Sequence, residues 1–587
     1  MSSRSKMFGK RNRKIKWMII KVVASLATLV ALVAGVAFAV DHILSSRRES
    51  VFTFYPELSR SHVNVMIGGE VVLTPNPPRI VADNIFLPID FINSHLDPYT
   101  FWDRGENIII TTETQVRRYR IDELDYTHNG EPRRLSEPFV TTGGMAYIPS
   151  AFAESEYNVI IRYHEEYMIV TIDDAGTAST HAVITSAGRL RSRPDNHATY
   201  IEEVHAGDRV LLLREAAEED FWQVRSANAI VGYVQTNLVG ETTVTAAVMP
   251  TPEQPLNRKQ PMRYPIVMLW DQWHTNRDLW NVSPHATIMS PAWFQFRFED
   301  GQADGTIIDS GNREYVAFAH ANNRMVWPKL TDNFNSIVSH AVLSCTDTRK
   351  FVVDQVLELI VYYNLDGINV DYEAVLVADA AYFLQFLREL RPPMHELGAY
   401  LSVALFVPRY TMYMNRTEIA KVVDYVAVMA YDEHWSGAGG AGTGPGPVAS
   451  LPFVEEGIVR TMDEVPTEMI IIGVPFYNRI WREVTEPDGS THNTIRNISM
   501  NYARRMFTEN GATFTWLDDI GSYYAQYPDP VYPNVMHRVW LECARSIERK
   551  LQLATSYNLP GIAAWHSGLE NDETWNVIAQ YIENKRR

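Results

Sequence analysis

Cysteine is scarce in this chain, which has only Cys345 and Cys543 among its 587 residues. A disulfide framework or a cysteine-based metal cluster needs more thiols than these two. A single bridge between them is the open alternative, but we expect two inert, buried and unpaired thiols. The scarcity therefore excludes the classes of protein that are held together by cysteines.

Positive charge is also scarce once the first 40 residues are passed. Those 40 residues contain eight Lys or Arg and no acidic residue, whereas the rest of the chain has 45 basic against 70 acidic residues. Binding a phosphate backbone requires clustered positive charge, so we expect no nucleic-acid partner. The length and the 46% hydrophobic content predict several folded domains.

One long uncharged run stands near the start, "VVASLATLVALVAGVAFAV" at residues 22–40, after a basic segment at residues 1–21. As a helix the run would span about 28 Å, close to the thickness of the hydrocarbon core of a bilayer. Basic residues on one side predict that this side is cytoplasmic and that the body after Asp41 is extracellular. We therefore expect a single-pass membrane anchor, with a cleaved signal peptide and secretion as the alternative, because "AFA" fits a cleavage site.

Residues 61–173 form a first β-rich module with an internal repeat. "IFLPIDF" and "AYIPSAF" lie 61 residues apart, and each precedes an alternating strand pattern. The region resembles the copper-amine-oxidase N-terminal-like domain of exported bacterial proteins. That family name implies no copper here, because no cluster of histidines accompanies the repeat.

Residues 180–241 form a second small β module. "GRLRSRPD", "AGDRVLLLRE" and "FWQVRSANAIVGYVQTNLV" resemble the bacterial Src-homology-3-like barrel. The resemblance implies contact with the cell wall, while a spacer without a ligand is the alternative. Residues 242–263 are rich in proline and predict a stiff linker.

Residues 264–587 alternate apolar runs with helical patterns. The runs that predict buried parallel strands are "PIVMLW", "YVAFAHA", "DGINVDYE", "YLSVALFVP", "YVAVMAYD", "MIIIGVPFY" and "GIAAWH". Amphipathic stretches such as "TRKFVVDQVLELIVYYN" predict helices between them. The fold class is therefore α/β, a (β/α)8 TIM barrel that follows two small β-rich domains and an N-terminal transmembrane helix.

The stretch "NLDGINVDYEAV" is unusual for a buried strand, because strands tend to exclude Asp, Asn and Gly. Alternate residues of a strand face opposite sides, so Asn369, Asp371 and Glu373 share one face. In a barrel that face points inward, and Glu373 lies at the C-terminal rim, where barrel enzymes have their active sites. A structural cluster held by buried hydrogen bonds is the alternative reading.

Several motifs in the same order carry a family resemblance. "DGINVDYE" resembles the Asp-Gly-x-Asp-x-Asp-x-Glu signature of glycoside hydrolase family 18, and "MAYDEHW", "GVPFYNR" and "GIAAWHSGLEN" resemble three further motifs of that family. The similarity extends from about residue 264 to the end of the chain. The loop "YDEHWSGAG" is similar to the spore-germination and cortex-lytic branch of the family.

The resemblance implies a substrate-assisted hydrolysis, an exception to the use of two catalytic carboxylates. Glu373 would be the general acid, Asp371 would orient the sugar's acetamide, and Tyr431 would hold the amide oxygen. Substrate-binding roles are implied for Asn369, Asp432, Tyr477 and Trp565. No metal and no cofactor are implied, and no spacing makes His434 or His566 a metal ligand.

Asn369 departs from the family pattern, since many chitinases have Asp at this position. We expect Asn369 to keep a hydrogen bond to Asp371 without sharing a proton with it. Trp270 and Trp273 are weaker candidates for sugar platforms, and core packing is the preferred interpretation for both.

These observations predict an exported, membrane-tethered glycosidase that hydrolyses N-acetylglucosamine-containing cell-wall glycan, namely peptidoglycan. Its predicted partners are this N-acetylated glycan, the cell wall through the two β modules, and the membrane through the N-terminal helix. A chitinase, an endo-N-acetylglucosaminidase and a catalytically inactive sugar-binding protein on the same barrel are the alternatives.

Overall fold

The computed structural model describes residues 4–82, 84–216, 220–249, 262, 264–272, 284–437 and 442–586. The chain divides into two compact units. The first unit comprises Met1–Thr100, Ile121–Leu124 and Leu135–Pro252, and the second comprises Phe101–Arg120, Asp125–Arg134 and Glu253–Arg587. Trp273 and most of the predicted proline-rich linker lie outside the described residues.

The first unit begins with the helix Arg4–Ser45. Its segment Ile20–Val40 is long and apolar enough to cross a membrane, by length and composition, and its apolar side chains are exposed. Arg189 and Arg191 donate hydrogen bonds to the carbonyl of Ser45, so two guanidinium groups satisfy the last turn of this helix.

The internal repeat of the first β module is visible as two strand–helix units. The strand Asn84–Pro88 leads into the helix Ile89–His95, and Met145–Pro149 leads into Ser150–Tyr157. The two strands pair antiparallel. The other elements of this region in the first unit are the helix Val51–Phe54 and the strands Asn64–Ile67, Glu70–Val72, Arg79–Val81, Val140–Thr142, Val159–His164 and Ile169–Asp174.

The second β module is one continuous sheet around a small apolar core. Its strands, in spatial order, are Tyr200–Val204, Gly188–Arg191, Val231–Gln235, Phe221–Arg225, Arg209–Ala216, Ser179–Ile184 and Val239–Thr245. Leu190, Ile201, Val224 and Val234 are fully buried between them. The last strand runs to Thr245, past the predicted end of this module at residue 241.

The second unit is built on a ring of parallel strands, a TIM-barrel-like α/β fold. Around the ring the strands are Ile266–Asp271, Ile288–Pro291, Met325–Val326 with Lys329–Thr331, Gly367–Asp371, Tyr400–Phe406, Tyr425–Met429, Ile470–Pro475 and Gly561–Trp565. The last strand pairs parallel with the first. The short strands Phe294–Phe296 and Ile307–Asp309 extend the sheet beside Lys329–Thr331.

Helices connect these strands and cover the ring. They are Arg313–Ala321, Ser336–Ser344, Thr346–Tyr363, Ala380–Glu396, Arg416–Val422, Leu451–Met462, Ala544–Ser556 and Asp572–Arg586. The prediction of a strand at "YVAFAHA" is wrong, because these residues belong to the helix Arg313–Ala321. The Asn312 side chain accepts hydrogen bonds from the N–H groups of Glu314 and Tyr315 and so caps this helix.

An α+β segment is inserted before the last strand of the ring. Its strands, in spatial order, are Thr491–Ser499, Tyr477–Thr485, Val535–Leu541, Ser522–Pro528 and Thr515–Leu517, and the helix Met500–Glu509 packs on them. At its end, Lys550 forms a fully buried ion pair with Glu542.

A further sheet in the second unit comes from the first β module of the sequence. Its strands are Thr100–Trp102, Asn107–Thr111, Val116–Arg120, Asp125–His128 and Glu131–Arg134. Arg118 of this sheet pairs with Glu389 of the helix Ala380–Glu396 at 2.9 Å. Residues 101–120 and 125–134 of this module thus belong to the same compact unit as the barrel.

The two cysteines are unpaired, as predicted, but only one of them is buried. Cys543 is buried at the start of the helix Ala544–Ser556, whereas Cys345 is exposed. The expectation of a buried Cys345 is wrong, because this residue is the single link between the helices Ser336–Ser344 and Thr346–Tyr363 on the outside of the ring.

Candidate active site

The strand Gly367–Asp371 separates the carboxylates that the sequence places close together. Asp366 precedes the strand, and its Oδ2 accepts hydrogen bonds from the Val326 N–H at 2.9 Å and from His320 at 2.7 Å. At about 3.3 Å per residue, Asp366 lies roughly 17 Å from Asp371. Asp366 therefore fixes the N-terminal ends of two strands, and the site at the other end has only the later carboxylates.

Asn369 is fully buried and both ends of its amide are engaged. Its Oδ1 accepts a hydrogen bond from Trp270 Nε1 at 3.0 Å, and its Nδ2 donates to Ser402 Oγ at 3.0 Å. The predicted hydrogen bond from Asn369 to Asp371 is wrong, because the amide is taken up by Ser402 on the neighbouring strand and by Trp270 on the non-adjacent strand Ile266–Asp271. Asn369 thus orients Trp270 in the barrel interior.

Asp371 forms an ion pair that was not predicted from the sequence. Its Oδ2 contacts Nζ of Lys329, and both side chains are buried. Among the described residues, Asp371 Oδ1 has no hydrogen-bond partner although it is also buried. No local sequence signal marks Lys329, whose burial is visible only in the fold, where the strand Lys329–Thr331 buries all but its last residue.

Glu373 lies two residues beyond the end of the strand, at its C-terminal side. Burial, and then the negative charge of Asp371, raises the pKa of Glu373 to about 9. Asp332 and Asp432 raise this pKa as well, while Lys329 lowers it. At neutral pH Glu373 is therefore a protonated carboxylic acid with a carboxylate as its neighbour.

Asp332, which follows the strand Lys329–Thr331, fixes the backbone of Glu373. Its carboxylate accepts hydrogen bonds from the N–H groups of Glu373 and Ala374, at 3.2 and 2.8 Å, and from Ser339 Oγ at 2.6 Å. Burial raises the pKa of Asp332. Asp332 was not among the residues predicted from the sequence, although an acidic residue directly after a barrel strand is a recognisable signal.

Aromatic side chains join the remaining candidates into one cluster. Trp270 packs edge-to-face on Tyr431 and on Trp565, with ring centroids 6.4 and 6.0 Å apart. Tyr477 packs on Tyr431 at 6.4 Å. Burial, and then the charges of Glu373 and Asp371, holds the pKa of Tyr431 well above its usual range, so its hydroxyl stays protonated.

Gly473 makes room for this cluster. A Cβ at this position would lie 2.7 Å from the carbonyl oxygen of Val428 and 3.1 Å from Cε1 of Tyr431. The glycine of the "GVPFYNR" motif is therefore required by the close approach of the neighbouring strand. Trp270 is fully buried, which fits core packing better than an open sugar platform.

Asp432 connects the end of the strand Tyr425–Met429 to the inserted segment. Its Oδ1 accepts hydrogen bonds from the Tyr477 hydroxyl and from Arg479 Nη2, which lies 2.6 Å away. Arg479 also donates to the carbonyl of His434 at 2.6 Å. Asp432 has a positive φ of 59°, so its backbone turns sharply to reach these partners.

The structure thus brings six of the seven predicted site residues into one region at the C-terminal ends of the strands, and Asn369 lies deeper in the ring, in the middle of its strand. Among the described residues, no group of three or more His, Cys, Asp or Glu side chains is arranged to hold a metal ion. Burial lowers the pKa of His566. The chemistry of the region is therefore that of a protonated acid, a buried anion with one oxygen that has no hydrogen-bond partner among the described residues, and an aromatic wall.

Comparison with known proteins gives two family matches. Residues 267–570 match the model described as glycosyl hydrolases family 18, and residues 65–172 match the copper amine oxidase N-terminal domain. The Src-homology-3-like assignment of residues 180–241 stays a prediction.

Individual relatives agree with the first match. YdhD of Bacillus subtilis (strain 168), named as a candidate sporulation-specific glycosylase, is 31% identical over 243 residues, which are 40% of this chain and 54% of that protein. The chain thus spans about half the length of YdhD. The cortical fragment-lytic enzyme of the same organism is 25% identical over 309 residues, or 51% of this chain and 68% of that enzyme.

Among solved structures, the Bacillus cereus spore cortex-lytic enzyme SleL superposes with a TM-score of 0.48 at 20% sequence identity. The match covers 59% of this chain and 77% of the SleL chain.

Proposed function

Because the chain belongs to glycosyl hydrolase family 18, we propose that it is a membrane-tethered glycosidase that hydrolyses N-acetylglucosamine-containing cell-wall glycan with retention of configuration. One observation carries the proposal. A protonated Glu373 stands two residues from a buried Asp371 that has one carboxylate oxygen without a partner among the described residues. An N-acetylated sugar supplies the two groups that this pair lacks, a basic glycosidic oxygen and an amide N–H.

In the first step Glu373 transfers its proton to the glycosidic oxygen as the C1–O bond breaks. The carbonyl oxygen of the sugar's 2-acetamido group attacks C1 and forms a cyclic oxazolinium ion. Asp371 Oδ1 accepts the amide N–H, and the Asp371 anion stabilises the positive charge that develops on the ring. Because the pKa of Glu373 is raised, the acid still holds its proton at the start of this step.

In the second step the Glu373 carboxylate takes a proton from water. The resulting hydroxide attacks C1, and the bond from C1 to the acetamide oxygen breaks. Two inversions at C1 give net retention, Glu373 regains its proton, and the acetamide is restored. The cycle needs no group beyond the side chains, the substrate and water.

The remaining candidates bind and orient the sugar. Tyr431, which stays protonated, donates its hydroxyl to the acetamide oxygen, and Trp565 stacks beneath the sugar ring. Tyr477 and Asp432 form one hydrogen-bonded wall of the pocket. Asn369 lies deeper in the ring and orients Trp270 by a hydrogen bond, and Trp270 in turn contacts both Tyr431 and Trp565.

Two observations favour peptidoglycan over chitin as the N-acetylated polymer. The similarity to a cortical fragment-lytic enzyme covers half of the chain. The apolar helix segment Ile20–Val40 would hold the enzyme at a cell surface as a membrane anchor, where the wall is the nearest glycan. The two small β modules then contact the wall.

The proposal is tested by digesting purified peptidoglycan with the full chain in detergent micelles. New reducing ends are reduced with borohydride and identified by mass spectrometry, with Glu373→Gln as the matched control. New N-acetylglucosamine ends that are absent from the control support the proposal. The same digestion of chitin oligomers separates the chitinase alternative, and binding without cleavage of either polymer contradicts hydrolysis.

Extraction of native membranes with alkaline carbonate tests the anchor, because a cleaved and secreted protein would leave the membrane fraction.

A further inference from the structure

Lys329 is a buried cation at the centre of the proposed active site. Its Cα is in register with that of Asn369 on the neighbouring parallel strand, and its side chain reaches Asp371 on the inner face of the ring. Its Nζ also lies 4.4 Å from the centroid of the Trp565 ring. Only 5% of the residue is exposed.

A buried ammonium group must be compensated by its neighbours, because removing a charge from water costs free energy unless the charge is paired. The carboxylate of Asp371 and the π face of Trp565 are the two partners that compensate for lost water. Asn369, the other polar side chain that faces the interior from the strand of Asp371, is neutral. Its amide oxygen accepts a hydrogen bond from Trp270, and its amide nitrogen donates one to Ser402. Asn369 therefore neither accepts a proton from Asp371 nor balances its charge.

We propose that Lys329 is a positioning residue that keeps Asp371 ionised and binds its Oδ2, so that Oδ1 faces the acetamide N–H of the substrate. This inference rests on the proposed function of the same site. An opposite charge in contact with a carboxylate favours the anionic form, and the ion pair leaves one oxygen for the ligand. Lys329 thus supplies the electrostatic control of Asp371 that the neutral Asn369 does not.

Lys329 acts on Glu373 as well, through space. Its positive charge lowers the pKa of Glu373, while the negative charges of Asp371, Asp332 and Asp432 raise it. Lys329 therefore opposes the effect of the three carboxylates, so that Glu373 can still release its proton to the substrate. The titratable and charged groups around this pair are Asp332, Asp371, Glu373, Tyr431, Asp432 and Lys329, with Asp271 and His566 near the ammonium.

The predicted consequence is a displacement of the whole pH–rate profile. The active form has Asp371 ionised and Glu373 protonated, so the acid limb follows Asp371 and the alkaline limb follows Glu373. Removing the cation makes both carboxyl groups harder to ionise, and both limbs move to higher pH. The acid limb should therefore move to higher pH in the neutral variants together with the alkaline limb, while the width of the profile is retained.

The experiment measures kcat/KM from pH 4 to pH 10 for the full chain and its Lys329→Met, Lys329→Gln and Lys329→Arg variants. Met and Gln remove the charge, and Gln keeps a hydrogen-bond donor in case Met impairs folding. Arg keeps the charge and should restore the wild-type profile. A lower rate with an unmoved profile in both neutral variants overturns the inference, because it shows a structural role only.

A second readout does not depend on turnover. The carboxylate band of Asp371 is followed by infrared spectroscopy on protein labelled with ¹³C-aspartate, with Asp371→Asn as the reference that identifies the band. Titration of Asp371 at higher pH in the neutral variants than in wild type supports the inference even if no glycan is cleaved, an outcome that would refute the proposed function alone. Titration at the same pH overturns the inference for Lys329, whatever the enzyme hydrolyses.

Discussion

The backbone N–H of Glu373 donates a hydrogen bond to Oδ1 of Asp332, 3.2 Å away, across two neighbouring strand ends of the ring. Asp332 also accepts from the N–H of Ala374 and from Ser339 Oγ. One buried carboxylate thus fixes the turn that carries Glu373, and its negative charge acts on the same side chain.

We expect Asp332→Asn to lower the rate and to move the alkaline limb of the pH–rate profile to lower pH. The variant loses a negative charge that raises the pKa of Glu373, so Glu373 gives up its proton sooner as pH rises. Ser339→Ala is the matched control, because it removes one hydrogen bond to Asp332 and leaves the charge. An alkaline limb that moves equally in both variants would contradict the electrostatic role.

Glu373→Gln should abolish most of the turnover and leave sugar binding largely intact. Gln keeps the shape of the side chain but has no proton to transfer, and a positioned general acid contributes about 10²–10⁴ in rate. Asp371→Asn should also lower the turnover rate strongly, because the acetamide of the substrate loses the anion that orients it. Tyr431→Phe should lower the rate less, because it removes only one hydrogen bond. Initial rates on a chromogenic N-acetylglucosamine oligomer and calorimetric binding test this order. Glu373 is not the acid if its Gln variant retains more than about a tenth of the rate.

Part of this site was predictable because its signals are local. The alternation along one strand puts Asn369 and Asp371 on the same face, with Glu373 two residues past the strand's C-terminal end. The helix Thr346–Tyr363 follows from its apolar periodicity. The order of the family motifs likewise predicts which strand ends meet. Local sequence is sufficient where one element alone fixes the position of a side chain.

The partners of these residues were not predictable, because a fold brings them from distant parts of the chain. Lys329 and Asp371 lie on different strands, and nothing beside Lys329 in the sequence distinguishes an ion pair from a surface charge. The hydrogen-bond partners of Asn369, Trp270 and Ser402, were unpredictable for the same reason, because they lie on other strands. The helix Arg313–Ala321 was misread as a strand, since a short apolar run fits either structure until its cap is recognised.

The raised pKa of Glu373 also predicts how stability depends on pH. The folded protein holds a proton up to about pH 9, whereas the unfolded chain releases it near pH 4.5. Between these values the folded state binds more protons, so this group's contribution to the free energy of unfolding falls as pH rises, by at most about 1.4 kcal/mol per pH unit. The contribution is fully present below pH 4.5 and lost above pH 9.

Glu373→Gln removes this titration, and we expect the variant to become more stable relative to wild type as pH rises. Thermal unfolding of both proteins at pH 5, 7 and 9 measures the difference. Glu509→Gln, at an exposed position in the helix Met500–Glu509, is the control for replacing a glutamate in contact with solvent. A difference between wild type and Glu373→Gln that is the same at all three pH values would contradict a buried, protonated Glu373.

The last prediction concerns the buried charges that join the sheet of residues 101–134 to the barrel helices. Glu389 is fully buried and accepts hydrogen bonds from Arg349 Nε and Arg118 Nη2, both at 2.9 Å. Arg349 also donates to Thr346 Oγ1, which in turn donates to Asp103 at 3.0 Å. The network thus connects the helices Thr346–Tyr363 and Ala380–Glu396 with the strand Val116–Arg120 and with Asp103, which directly follows the strand Thr100–Trp102.

We expect Glu389→Gln to destabilise the second unit by about 3–5 kcal/mol, because it leaves the buried Arg349 and the nearly buried Arg118 without a countercharge. Asp354→Asn is the matched control, since it breaks the exposed pair with Lys350 on the helix Thr346–Tyr363 and should cost less than about 1 kcal/mol. Urea unfolding followed by tryptophan fluorescence measures both changes in the full chain.

A fragment that starts at residue 264 lacks Arg118 and Asp103, so it should unfold at a lower urea concentration than the full chain. Equal midpoints for the fragment and the full chain would show that the sheet of residues 101–134 contributes nothing to the barrel's stability.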